Sequence, residues 1–284
     1  MFKPGLSEST TLRAKGMVEI PLPDDDPSAL LILLNIIHGY IRKVPQKVNF
    51  LMLTQLSVLI DKYELHEVAE LISSQWVSEL SKDMPCSFTD ETLPWIFVSW
   101  VFQKRELFLE ATKIAMRESR CMLRDAPGHE LPIPSSISGS IDEKRQNAVS
   151  GLITELMQIL ERYSEPGYCC VLWKRDGQNE RKALLCDSLI LGSLTKGLNS
   201  IGLIPAPESP FDWIEFDSLA YDVRNLPIPT WSGIKGRIAW KYRGDYIPDC
   251  DVKGVIESKS SELESDLCGL ELDEFLSRRR DEGS

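Results

Sequence analysis

Histidine is scarce in this chain, with three in 284 residues, His38, His66 and His129. His38 ends an apolar helix and reads as a packed, hydrogen-bonded side chain rather than a general base. No Gly-x-Ser-x-Gly elbow, His-Glu-x-x-His, Walker loop or Gly-x-Gly-x-x-Gly occurs, so no motif spells out a reaction. Long apolar runs are missing too. The best candidate, Leu30 to Ile37, is broken by Asn35, far short of the roughly 18 uninterrupted apolar residues of a membrane span. The N-terminus lacks the apolar core of a signal peptide. Positive charge is in deficit, 32 Lys and Arg against 43 Asp and Glu, and the net charge of −11 repels a phosphate backbone. Nucleic acid and membrane are therefore not expected partners. Seven cysteines, an odd number in a chain this long, do not form a secreted disulfide framework. Reduced thiols and a cytoplasmic or nuclear location are expected. Arg278-Arg279-Arg280, beside Asp281 and Glu282, reads as a helix end rather than a nuclear address.

What is present is an ordinary globular mixture, 43% hydrophobic and 26% charged, long enough for one large domain or two small ones. Val18 to Leu22 is a short β-prone piece. Asp24-Asp25-Asp26-Pro27 then marks a helix start, because an Asp oxygen accepts an orphan N–H and proline suits the first turn. That helix is expected over Pro27 to Tyr40, with leucines and isoleucines around most of its circumference, which predicts burial on several sides. Apolar residues at helical spacing follow from Phe50 to Tyr63, from Val68 to Leu80, and from Trp95 through Phe108 to Ala115.

Pro127-Gly128 and Leu131-Pro132-Ile133-Pro134 read as a linker. Ser140 and Glu143 have capping-box spacing ahead of a long helix ending at Glu165-Pro166-Gly167. Tyr168 to Leu185 reads as two short strands around Asp176-Gly177 or as an irregular loop. A further helical stripe runs from Leu191 to Ile201 and stops at Gly202. Glu208 to Asp249 is rich in proline, and Trp213, Trp231 and Trp240 are expected to pin its loops onto the helices. The last helix begins near Asp251, and Leu270, Leu272 and Phe275 are positioned to dock a C-terminal segment.

The order of segments resembles the second half of a BTB/POZ domain. The matching residues are Phe2 to Ser9, Val18 to Pro27 and Leu33 to Gly39. Fungal members of that family are matched further by Ile60-Asp61-Lys62-Tyr63, Trp95 to Phe102 and Leu131 to Pro134, and their downstream region by Cys186 to Gly192 and Gly269 to Phe275. The resemblance implies a protein-interaction module that dimerises or presents a substrate on a cullin scaffold, with no chemistry of its own. A family domain would begin before Phe2, so the resemblance also implies either a late-starting gene model or a half-domain that borrows a layer from a partner.

Each candidate site has a plainer reading. Asp24, Asp25 and Asp26 suit helix capping better than a cation, which needs ligands from several directions. Cys169, Cys170, Cys186 and Cys250 are the best metal constellation. However, no CxxC occurs and the gaps of 15 and 63 residues leave assembly to the fold, so buried structural cysteines are the preferred reading. The aromatic run Trp95 to Phe102 reads as core before it reads as a partner anchor.

The expectation is therefore a mainly α protein with an α+β remnant, namely a truncated BTB/POZ-like domain over 1–82, following helices over 83–126, a linker over 127–136 and a helical region over 137–284. Its expected role is non-enzymatic protein binding, as a ubiquitin-ligase adaptor or transcription-associated scaffold, with a cullin scaffold or a second copy as partner and no catalytic, cofactor or metal residue assigned. The alternative is a zinc-stabilised regulatory protein or enzyme around Cys169, Cys186 and Cys250. The faces between Leu51 and Leu65 are the surface expected to meet a partner.

Overall fold

The computed structural model describes residues 17, 19, 21–170, 180–229 and 251–276, and the fold is mainly α. The chain divides into two compact units, 1–82 and 83–284.

Among the described residues, the first unit holds three α-helices. In α1, Pro27–Ile37, the side chain of Asp26 accepts from the Ala29 N–H at 2.8 Å and proline occupies the first position. The helix stops at Ile37 rather than at the expected Tyr40. Gly39 turns left-handed at φ 70°, which no β-carbon impedes, and Tyr40 N–H returns to the Asn35 carbonyl at 2.8 Å. Asn49 caps α2, Phe50–Lys62, by accepting from Met52 N–H at 2.8 Å. A residue with positive φ, Glu64, separates it from α3, His66–Leu80. The three helices pack mutually around Leu33, Leu53, Leu56, Ile60 and Trp76, and Trp76 Nε1 donates to the Pro45 carbonyl at 3.1 Å.

Two expectations fail in this unit. Among the described residues α1 is not covered on several sides, because the helices that pack on it meet the face of Ala29, Leu33 and Ile36. Of the expected β piece, Val18 and Ile20 lie outside the described residues, Glu19, Pro21 and Leu22 are not in a strand, and no strand occurs among the described residues.

In the second unit, the single expected helix through Trp95 and Ala115 is two. α4, Thr92–Val101, and α5, Arg105–Glu118, are broken at Gln103, which takes φ 52°. α4 is buried from Trp95 through Val101, so the aromatic run is core. α6, Ser135–Ser164, is the long helix around which the unit is built. It starts before the expected capping box, so Ser140 and Glu143 lie inside it. It packs on α5, on α7 (Glu180–Ser200), on α8 (Phe216–Arg224) and on α9 (Val252–Asp266). α5 and α6, which flank residues 119–134, are thus neighbours within one unit. Gly151 permits the α6 and α9 contact, since a β-carbon there would already stand 3.3 Å from Leu263.

Residues 183–185, read as part of a strand or loop, are helical in α7, while 171–179 lie outside the described residues. Charges link α5, α8 and α9. Arg117 donates to Asp217 at 2.8 Å and also to Glu264, which Arg224 shares. The carboxyl of Glu264 is held below its usual range chiefly by Arg224, with Arg117 adding to it. The C-terminal segment docks on α5, where Leu270 N–H donates to Thr112 Oγ1 at 2.9 Å and Phe275 meets Phe108. Trp213, expected to pin a loop, is instead 85% exposed. Trp231 and Trp240 lie outside the described residues.

Candidate functional site

The first candidate is the outer face of α1. Residues spaced by three or four share one side of a helix, and Leu31, Leu34 and Ile37 do so at 60%, 41% and 46% exposure. Tyr40 and Ile41, each 57% exposed, follow the helix end after exposed His38 and Gly39. Isolated exposed leucines are common on any protein, so what singles this face out is that three exposed apolar side chains share one side of one helix. Acidic Asp24 lies at its start, and basic Arg42 and Lys43 lie in the 3-10 turn Ile41–Lys43 at its end.

The end of α2 locks this arrangement. Asp25, one of three clustered acids, has a side chain only 1% exposed and accepts from Lys62 Nζ at 2.6 Å and from the Tyr63 hydroxyl. Lys62 first and Tyr63 second hold its carboxyl below the ordinary value, while the same contacts raise Lys62 and Tyr63. The triple-Asp motif therefore divides its labour. Asp26 caps, Asp25 clamps α1 to α2, and Asp24 stays exposed. In α2, where a partner face was expected, Leu51 is 69% exposed while Leu53, Leu56 and Ile60 are core.

The second candidate is a thiol cluster. After Gly167, which has φ 129°, the chain doubles back on α6. Cys169 Sγ donates to the Arg162 carbonyl at 3.1 Å, and Tyr168 donates to Glu180 Oε1 at 3.0 Å. Cys169 N–H donates to Asp187 Oδ2 at 2.7 Å. These ties set Cys170 against the second turn of α7, where the ligand atoms of Cys170, Cys186 and Asp187 lie within 4.8 Å of one another. Cys169 is turned away toward Arg162, and Cys250 lies outside the described residues. Sequence reasoning selected Cys170 and Cys186 and missed Asp187, although it adjoins Cys186.

The third is a buried charge. Arg145 of α6 is fully buried, and its Nη1 donates to the carbonyls of Phe211 and Ile214 at 3.2 Å each. One turn earlier, buried Asp142 accepts from Leu123 N–H at 3.1 Å. Burial pushes the Asp142 carboxyl up and the Arg145 guanidinium down. Arg145 fastens the 211–214 loop to α6, a structural task, and no sequence pattern marks it. An open acidic depression beside α8 is lined by Glu118, Glu215, Asp217 and Asp222, but Arg120 and Arg117 pair with Glu215 and Asp217, and Glu118 accepts from Phe88 N–H.

The histidines stay apart. His38 is exposed at the end of α1, not packed as expected. His66 lies 3.7 Å from Asp61, and His129 Nδ1 contacts the Ala126 carbonyl. Arg278 to Arg280 lie outside the described residues. No helix among the described residues is long and apolar enough to cross a membrane. Comparison with protein-family models, curated proteins and solved structures finds no match.

Proposed function

We propose that this chain is a non-enzymatic protein-interaction protein whose α1 face binds a second copy of itself. One observation carries the reading, the exposed apolar side chains of Leu31, Leu34, Ile37, Tyr40 and Ile41 along α1 and the turn that follows it. Its charges favour a second copy. Antiparallel pairing about a two-fold axis, the commonest homodimer arrangement, sets Asp24 of one copy toward Arg42 and Lys43 of the other. It also opposes the two helix dipoles.

The affinity follows from the area available. Five residues on each copy, each burying about half of a side chain worth roughly 1.5–3 kcal/mol, supply about 10 kcal/mol. Association costs roughly 4–15 kcal/mol, so the dimer is transient, micromolar or weaker. A reversible pairing of this strength suits regulated assembly. The segment order resembling a BTB/POZ domain supports the same class of role, with a ubiquitin-ligase adaptor or a transcription-associated scaffold as its setting and a cullin scaffold as the competing occupant of the face.

Sedimentation equilibrium of the full chain tests the proposal. The average mass should rise with concentration in the wild type and stay monomeric in Leu34→Glu. The same test separates charge from grease: Asp24→Lys and Arg42→Glu should each weaken pairing severalfold, and their combination in one chain should restore it. Identical behaviour of wild type and Leu34→Glu would refute the reading.

A further inference from the structure

We infer that Cys170, Cys186 and Asp187 form a site for one Zn2+ that clasps the end of α6 to the start of α7. This inference is independent of the α1 face, which lies in the other unit. The three ligand atoms all lie within 4.8 Å of one another. In a tetrahedral site with bonds of about 2.0–2.3 Å, ligands stand roughly 3.4–3.8 Å apart, so small side-chain rotations close the set.

Two features mark a built site rather than chance proximity. Cys186 and Asp187 are consecutive in α7, and although successive helix positions diverge by about 100°, a ligand atom of each lies within 4.8 Å of the Cys170 sulfur. The loop carrying Cys170 is fixed independently of any metal, through Cys169 to the Arg162 carbonyl and Tyr168 to Glu180. The bond from Cys169 N–H to Asp187 Oδ2 orients the carboxylate, as outer hydrogen bonds do for metal-binding carboxylates. Paired thiolates select a soft or borderline ion over Mg2+ or Ca2+.

On binding, each thiol loses its proton to solvent as its sulfur–zinc bond forms, so two protons leave per zinc. Asp187 binds through its carboxylate, and water fills the fourth position. Affinity therefore rises with pH.

The test is titration of the reduced full chain with Co2+, followed by displacement with Zn2+. One equivalent should produce thiolate-to-cobalt absorption in the near ultraviolet and tetrahedral bands in the visible, with two protons released. Losing a ligand should cost more than the roughly 10- to 100-fold that follows loss of a supporting hydrogen bond. Cys170→Ser and Cys186→Ser should each weaken binding to that degree. Asp187→Asn should weaken it while keeping the thiolate absorption, and Cys121→Ser should change nothing. The wild-type titration needs no variant to fold, and absence of thiolate absorption there overturns the inference. So does full binding by both Cys170→Ser and Cys186→Ser.

Discussion

Lys62 donates to Asp25 across 2.6 Å, joining the last turn of α2 to the residues that precede α1. The contact spans 37 positions of sequence and holds α1 at the angle that leaves Leu31, Leu34 and Ile37 facing outward.

Because Lys62 and Tyr63 depress the Asp25 carboxyl, its stabilising effect is complete above the ordinary carboxylate value and is lost as pH falls through the depressed one. Asp25→Asn removes that dependence. Urea-dependent hydrogen exchange of α2 peptides should show the variant weaker than wild type near neutrality, with the gap closing as pH falls below the ordinary carboxylate value and through the lowered one. A gap that widens on acidification would contradict the clamp.

Asp142 carries the opposite sign. Burial raises its carboxyl, so its contribution is present below the ordinary value and is lost as pH rises through the raised one. Asparagine can still accept from Leu123 N–H. Relative to wild type, Asp142→Asn should therefore gain stability as pH rises from about 3 to 7, read from exchange of α6 peptides. A relative loss over that range would show that Arg145 outweighs desolvation.

Two glycines with positive φ separate conformation from space. Gly39 at φ 70° has open surroundings, so Gly39→Ala should cost about 1–2 kcal/mol. At Gly269, φ is 109° and a β-carbon would stand 2.4 Å from the Leu109 carbonyl oxygen. Gly269→Ala should cost about 3 kcal/mol or more and release residues 270–276 from α5. Equal losses in urea unfolding would mean that the C-terminal segment yields easily.

Local chemistry was legible in the sequence, and sidedness was not. Asp26 with Pro27 and Asp251 before Val252 cap helices through contacts within three residues, which is the range a linear reading covers. α1 is apolar nearly all round, so its pattern could not reveal which stripe faces neighbours and which faces water. The break at Gln103 interrupts a period that continues smoothly through Phe108 and Ala115. Trp213 is apolar enough to predict burial, yet its positive φ and its N–H bond to the Arg120 carbonyl point it outward. For the cysteines, Cys170 and Cys186 are brought together by the turn after Gly167 and the packing of α6 on α7, and spacing encodes neither. The pairing of Asp187 with the Cys169 amide rests on α7 beginning at Glu180 rather than near Leu191.

What covers the α1 stripe can be read directly by placing a photoreactive benzoyl-phenylalanine at position 34 of the full chain, irradiating at a concentration that favours pairing, and mapping the joined peptides. The account predicts a chain-to-chain product with the attachment inside residues 27–41 of the second copy. Attachment elsewhere on the second copy, or no joined dimer at any concentration, would contradict it.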